Sequence, residues 1–196
     1  ANYWVHNGFV TINNEKMSKS IGNIITISEA INKYSGQVVR LALLSAHYSQ
    51  PLDWNDDLLN NQKSTIDKWY GLYEEQKEVG ISDIANSLLD DLNTPGFIAK
   101  IHELYAKANS GDKQKKSLFN SACRFLGLFN ISKEEWQNLK KKKIKLSESY
   151  ITKKINERIK AKNNGDYSLA DKIRGELLKE GILIEDQKGK TTWKYK

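Results

Sequence analysis

The apolar positions of this chain recur mostly at helical spacing. The run Thr26-Ile27-Ser28-Glu29 opens the first such segment with a capping box, in which a threonine and a glutamate three residues later satisfy each other's free backbone donors. Ile27, Ala30, Ile31 and Tyr34 follow on one face, and Gly36 is placed to end the helix. A second helix is predicted over residues 37–46, with Val38, Val39, Leu41, Leu43 and Leu44 nearly all round it, a pattern that predicts burial. Pro51 restrains Gln50, so residues 49–54 read as a link. Asn55 caps a long helix predicted to reach Val79, with Leu59, Ile66, Trp69, Tyr70 and Tyr73 on a broad face. Thr94 and Pro95 predict a restart as N-cap and first helical residue, with Ile98, Ile101, Leu104, Tyr105 and Ala108 as the next stripe. Leu118, Phe119, Ala122, Phe125 and Leu126 form another, and Ser132 with Glu135 makes a further capping box. Residues 55–138 thus predict an antiparallel helical bundle with short links.

The two ends depart from that rhythm. Tyr3–Val5 and Gly8–Ile12 predict short strands around the turn dipeptide Asn7-Gly8. Two such strands bury too little to stand alone, so residues 1–25 read as the edge of a larger α/β unit with Tyr3 and Trp4 packed in its core. The lysine run at 139–146 reads as an exposed linker. Beyond it Ser147 caps a helix with Ile151, Ile155 and Ile159 inward and Lys153, Lys154, Arg158, Lys160 and Lys162 on its exposed face. Asp166 starts the last helix, with Leu169, Ala170, Ile173, Leu177 and Leu178 inward, and residues 182–186 and 191–195 predict a hairpin about Lys188-Gly189. The expected fold class is mainly α, with an α/β remnant at 1–25, two helices and a link at 26–54, the bundle, the linker, and a small α+β module at 147–196.

Apolar residues make up 39% of the chain and charged residues 28%, which suits a helical, highly exposed protein with modest cores. No apolar run approaches the ~20 residues of a membrane span, and no charged-then-apolar leader is visible. The single cysteine, Cys123, lies in an apolar helical pattern and reads as a buried structural thiol. His6, His47 and His102 are far apart and no HxxH or CxxC spacing occurs, so no metal site is expected from this chain. Net charge is +7 and unevenly placed: residues 139–196 hold 17 Lys and Arg against 8 Asp and Glu. That excess fits a polyanion such as RNA, and equally a solvated tail. Within the terminal module, lysines that track a phosphate backbone beside Trp193 and Tyr195, on which unpaired bases can stack, give the RNA reading its chemistry. Arg40 is read as a core-edge ion pair ahead of an exposed RNA contact, and Asp90-Asp91 as a structural turn rather than a pair of catalytic carboxylates.

Between the first strands and Thr26 lies Glu15-Lys16-Met17-Ser18-Lys19-Ser20-Ile21-Gly22-Asn23. Two ammonium groups on a small-residue loop, with serine hydroxyls and a glycine that lets backbone approach, suit a phosphate-bearing ligand. Lys16-Met17-Ser18-Lys19-Ser20 is letter for letter the KMSKS loop of class I aminoacyl-tRNA synthetases, and with Tyr3–Val10 upstream it resembles the cysteinyl-tRNA synthetase version. Asp90-Asp91-Leu92-Asn93-Thr94-Pro95 resembles a signature of that family's anticodon-side helical domain. Asp171–Arg174, Gly181-Ile182 and Thr191–Trp193 resemble its C-terminal anticodon-recognition module.

The resemblance covers the chain from end to end but only the C-terminal part of such an enzyme. It implies a ligase that activates cysteine with ATP and Mg, transfers it to tRNA(Cys), and works in the cytoplasm as a monomer. It assigns catalysis to Lys19 and then Lys16, and ATP binding to Lys16, Met17, Ser18, Lys19 and Ser20. Residues 26–54 become the stem-contact region, and Trp193, Lys194, Lys153, Arg158 and Lys162 the tRNA contacts. The family's HIGH element and zinc ligands have no counterpart here, His6 included, so the chain by itself is expected to be inactive and to retain tRNA binding. Without the resemblance, residues 55–196 would suit a stand-alone RNA-binding or scaffolding module.

Overall fold

A computed structural model describes residues 1–143, 146–187 and 190–195, without the side chains of residues 140–143, 187, 190, 194 and 195. The chain divides into two compact units, Ala1–Ser132 and Lys133–Lys196.

In the first unit, β1 (Val10–Ile12) and β2 (Glu15–Lys16) form an antiparallel hairpin. Its turn is Asn13-Asn14, with φ of 50° and 65°, a left-handed geometry that asparagine tolerates. Strand β3 (Leu52–Trp54) runs parallel to β1, giving the order β2-β1-β3. A parallel pair requires a long crossover, supplied by α1 (Ile27–Tyr34) and α2 (Gly36–Leu44). The Thr26–Glu29 box closes in both directions. The break between the helices falls one residue before the expected glycine: Ser35 takes φ 92° and ψ 151°, a region that is essentially glycine's, and Gly36 begins α2.

Tyr3–Val5 form no strand, and Tyr3 and Trp4 are 90% and 78% exposed rather than core residues. Asn7-Gly8 is not a hairpin turn either. Gly8 lies against the link before β3, where a Cβ would stand 2.1 Å from the Gln50 carbonyl oxygen, and its N–H donates to Tyr48 O at 2.8 Å. Glycine is there for close backbone approach.

Helix α3 (Asp56–Trp69) starts at its expected cap, where Asn55 Oδ1 accepts from Leu58 N at 2.7 Å. It stops at Trp69 instead of reaching Val79. Residues 72–80 are irregular and lie along α6 (Lys113–Phe125), held by side chains. Asn120 Oδ1 accepts from Glu74 N at 3.0 Å, its amide donates to Leu72 O at 3.1 Å, and Val79 N donates to Ser121 Oγ at 2.9 Å. These tertiary bonds outweigh the helical preference of the segment.

After α4 (Ser82–Ala85) and a 3-10 turn at Asn86–Leu89 comes α5 (Thr94–Asn109). Its cap is Asn93, which accepts from Gly96 N at 2.8 Å, one residue before the expected Thr94. The Thr94 hydroxyl instead donates to Leu44 O at 2.8 Å. Helices α5 and α6 pack together over Phe97, Ile101, Phe119 and Ala122, all fully buried. Trp69 meets Phe119 edge-on at 5.7 Å, and Phe119 meets Phe129 at 5.9 Å. Cys123 is fully buried, which pushes its thiol pKa well up and leaves it unreactive. Phe125, expected inward, is 58% exposed. Arg40 forms no core-edge ion pair among the described residues; its Nε donates to Leu126 O at the end of α6.

The second unit holds α7 (Lys133–Lys143), α8 (Glu148–Asn163), α9 (Tyr167–Lys179), β4 (Ile182–Gln187) and β5 (Lys190–Tyr195). Part of the expected linker at 139–146 is helical, because α7 continues to Lys143; residues 144–145 and the hairpin tip at 188–189 lie outside the described residues. Ile151, Ile155, Ile173, Leu177, Ile182 and Ile184 form the core, with Ile159 and Trp193 against it. Leu169 and Leu178 are exposed rather than inward.

The strained junction gives a test. Ser35→Gly removes a Cβ from an unfavourable conformation and a buried hydroxyl that has no partner among the described residues. It should stabilise the chain by about 1–2 kcal/mol, read as a raised denaturation midpoint.

Candidate functional site

The lysine loop hangs between β2 and α1 and keeps its shape through its own polar groups. Lys16 ends β2. Asn23 reaches back across the loop: its Oδ1 accepts from Ser18 N at 2.9 Å and its Nδ2 donates to Lys16 O at 3.2 Å. Gly22, at φ 74°, turns its N–H toward Ser18 O and Lys19 O, each 3.2 Å away. Ser18 Oγ accepts from Ile21 N at 3.3 Å and stands 3.2 Å from Ser20 Oγ. Met17 is half-buried. Lys16 and Lys19 are exposed, and neither joins an ion pair among the described residues. The result is a fixed backbone turn carrying two mobile cations, which suits a polyphosphate.

The hairpin below the loop is tied to β3 by Asp53. Oδ1 of Asp53 accepts from Thr11 Oγ1 at 2.7 Å and from Asn14 N at 2.6 Å, while Oδ2 accepts from Asn55 Nδ2 at 2.7 Å. These donors, the Thr11 hydroxyl foremost, hold the Asp53 carboxyl below the usual carboxylate range.

The pair Asp90-Asp91 takes part in a turn. Asp91 and Leu92 adopt φ of 49° and 52°; Tyr48 OH donates to Asp91 Oδ1 at 2.7 Å, and His47 Nε2 lies 2.7 Å from Asp91 O. Among the described residues no group of three His, Cys, Asp or Glu side chains could hold a metal ion. The chain therefore offers no zinc donor set within them.

In the second unit the expected RNA-facing residues separate. Arg158 does not lie on an exposed face. It is 3% exposed and grips Asp186 with both terminal nitrogens, at 3.1 and 2.8 Å. Lys162, exposed, donates to the same carboxylate at 3.2 Å, and Thr191 Oγ1 donates at 2.7 Å. Arg158 first, then Thr191 and Lys162, hold Asp186 far below the ordinary carboxylate range. Lys154 pairs with Glu157 at 3.0 Å. Lys153 is exposed and has no ion pair among the described residues. Trp193 is half-buried, opposite Ile184 in the hairpin and packed on the core. Lys194 lies in β5, with its side chain outside the described residues, as is that of Tyr195.

The model of a family described as tRNA synthetases class I (C) catalytic domain matches residues 1–64. The Cysteine--tRNA ligase of Pelagibacter ubique (strain HTCC1062) is 53% identical over 198 residues, covering 100% of this chain and 44% of that protein. From end to end this chain is similar to cysteine--tRNA ligases. The Cysteine--tRNA ligases of Rickettsia bellii (strain OSU 85-389) and Rickettsia rickettsii (strain Sheila Smith) are 43% and 45% identical over 99% of the chain. The chain spans less than half the length of these relatives, 43–44%. Among solved structures, a ternary complex of an Agrobacterium radiobacter K84 LeuRS with tRNA and LeuAMS overlays 61% of this chain and 19% of its own, at a TM-score of 0.48 and 18% identity; nothing further rests on that likeness.

For a cysteine--tRNA ligase-type chain, sequence reasoning reached the lysines but missed the residues that hold them. Asn23 stood in the motif without a role. The spacing Ile151, Ile155, Arg158 is an inward helical stripe, and Asp186 shares strand parity with Ile182 and Ile184, so the buried pair was signalled. Nothing local signalled Asp53, whose partner Thr11 is 42 positions away.

The depressed Asp186 carboxyl has a pH consequence. Its stabilising contribution is complete above the unfolded carboxylate pKa of ~3.9 and is lost as pH falls from there toward the lower folded value. Thermal melts of the chain should therefore lose stability below about pH 4, and Asp186→Asn should flatten that part of the profile.

Proposed function

We propose that this chain is the C-terminal part of a cysteine–tRNA ligase. The full-length protein would join cysteine to ATP with release of pyrophosphate, then pass the cysteinyl group to tRNA(Cys). The observation that carries this reading is 53% identity across the entire chain to such a ligase. The exposure of Lys16 and Lys19, neither of which joins an ion pair among the described residues, supports it.

The activation step shifts negative charge onto the departing pyrophosphate. Cations already placed where that charge grows lower the barrier more than they tighten ground-state binding. Lys19 takes this role first and Lys16 second. Ser18 is committed to the shape of the turn through the Asn23 and Gly22 contacts, Ser20 stands against the Ser18 hydroxyl, and Met17 is half-buried. Mg would accompany the triphosphate as part of the substrate. Zinc belongs, on this reading, to the part of the ligase outside this chain.

For tRNA, Lys153 is an exposed cation on α8 with no ion pair among the described residues, and Lys162, Lys194 and the accessible edge of Trp193 are the further contacts. Arg158 serves them by holding the hairpin through Asp186 rather than by touching RNA. No described helix is long and apolar enough to cross a membrane, and the working form is a cytoplasmic monomer on this reading.

In the full-length protein, Lys19→Ala should slow first-turnover pyrophosphate release about 100-fold, equal to ~3 kcal/mol, with cysteine binding little changed. An unaltered rate would refute the assignment. The chain alone should bind tRNA with an affinity that falls steeply as salt rises, and Lys153→Ala should lower the log–log slope by about 1. A salt-insensitive complex would count against phosphate contacts.

A further inference from the structure

Beyond its own internal hydrogen bonds, the lysine loop is carried by a very short strand. Strand β2 is two residues long, and only two residue pairs join it to β1. What lies behind it is a row of three residues across the sheet: Asp53 on β3 stands opposite Thr11 on β1, and Thr11 opposite Lys16 on β2. Cross-strand partners share a face, so the row runs from the carboxylate to the lysine through one hydroxyl. The Asp53 carboxylate closes the row at both levels. One oxygen takes the Thr11 hydroxyl and the N–H of Asn14, the second residue of the hairpin turn; the other takes Asn55, the cap of α3.

From this we infer that Asp53 is a positioning residue for Lys16, fixing the β1–β2 hairpin, and with it the start of the lysine loop, against the N-terminus of α3. This rests on the proposed role of the loop in activation. A carboxylate suits the task because it accepts three hydrogen bonds in fixed directions and donates none. Thr11 stands between the carboxylate and Lys16 in the row, and Lys16 joins no ion pair among the described residues. The side chain touches no substrate: it acts through the backbone of Asn14 and through Thr11.

The test is cysteine-dependent ATP–pyrophosphate exchange by the full-length protein. Asp53→Ala should lower kcat about tenfold or more with the KM for cysteine unchanged, since even a ~1 Å displacement of a reacting-site group can cost up to ~100-fold. The double variant Asp53→Ala/Lys16→Ala should be no more than about twofold slower than Lys16→Ala alone, because both changes remove the same contribution. Thr11→Val should reproduce part of the loss and Thr11→Ser should recover it, which keeps the proposal testable if Asp53→Ala does not fold. Wild-type exchange by Asp53→Ala beside an impaired Lys16→Ala would overturn this inference alone. So would losses that multiply in the double variant. Wild-type exchange by Lys16→Ala itself would overturn it together with the role given to the loop.

Discussion

Gln37 lies almost fully buried on α2, and its amide is where three segments distant in sequence meet. Phe129 N donates to Oε1 at 2.7 Å, and because a backbone N–H can only donate, this fixes which way the amide faces. Nε2 then donates to Tyr70 OH at 2.9 Å, and Tyr70 passes its own proton toward Ile131 O at 3.3 Å. Burial first of all pushes the Tyr70 hydroxyl up to about 12, so it stays protonated and able to donate. Crossover helix, end of α3 and the return from α6 are thereby joined inside the apolar core. A buried amide without all its partners would cost of order 1–3 kcal/mol, so the three segments hold their positions jointly.

The same unit uses side chains in place of a backbone ladder to hold its irregular stretch. Residues 72–80 follow a helix whose pattern invites continuation, yet α6 offers Asn120 and Ser121 at the right spacing to take their backbone groups, while Ser117 O accepts from the Gln76 side-chain amide. Lys116 pairs with Glu74 there, and Arg124 donates to Glu74 O. Near the other end of α6, Gly127 at φ 72° leaves room for Arg40, whose Nε would stand 2.9 Å from any Cβ at that position. Polar contacts thus decide where the chain changes direction, while apolar burial supplies the bulk of the stability.

What could be read from the residues alone follows the range of the interaction concerned. Caps at Thr26, Asn55, Ser147 and Asp166 are local bonds over three residues, and each forms as its sequence suggests. The hairpin at 182–195 has strong alternation and a glycine turn signal, and it too is present. The lysine loop was legible because Lys16–Ser20 match a known motif letter for letter, although its geometry depends on Asn23. Errors arose where distant partners intervened. Asn120, about 46 positions away, ends the helix that would have continued past Trp69. Leu44 O claims the Thr94 hydroxyl and leaves the cap to Asn93. Arg158 looked like one more surface cation until Asp186 arrived from the far strand. Tyr3 and Trp4 carry the chemistry of core residues, but the described chain offers nothing that covers them.

The single carboxylate of Asp186 also sorts the positive charge of its unit. By pairing with Arg158 and Lys162 and accepting from the Thr191 hydroxyl, it offsets part of the positive charge beside the hairpin, while Glu157 offsets Lys154. Lys153 and Lys160 are exposed, with no such offset among the described residues. The electric field of this small module is therefore shaped as much by where acid cancels base as by where base is abundant, and a lysine-rich composition becomes a directional surface.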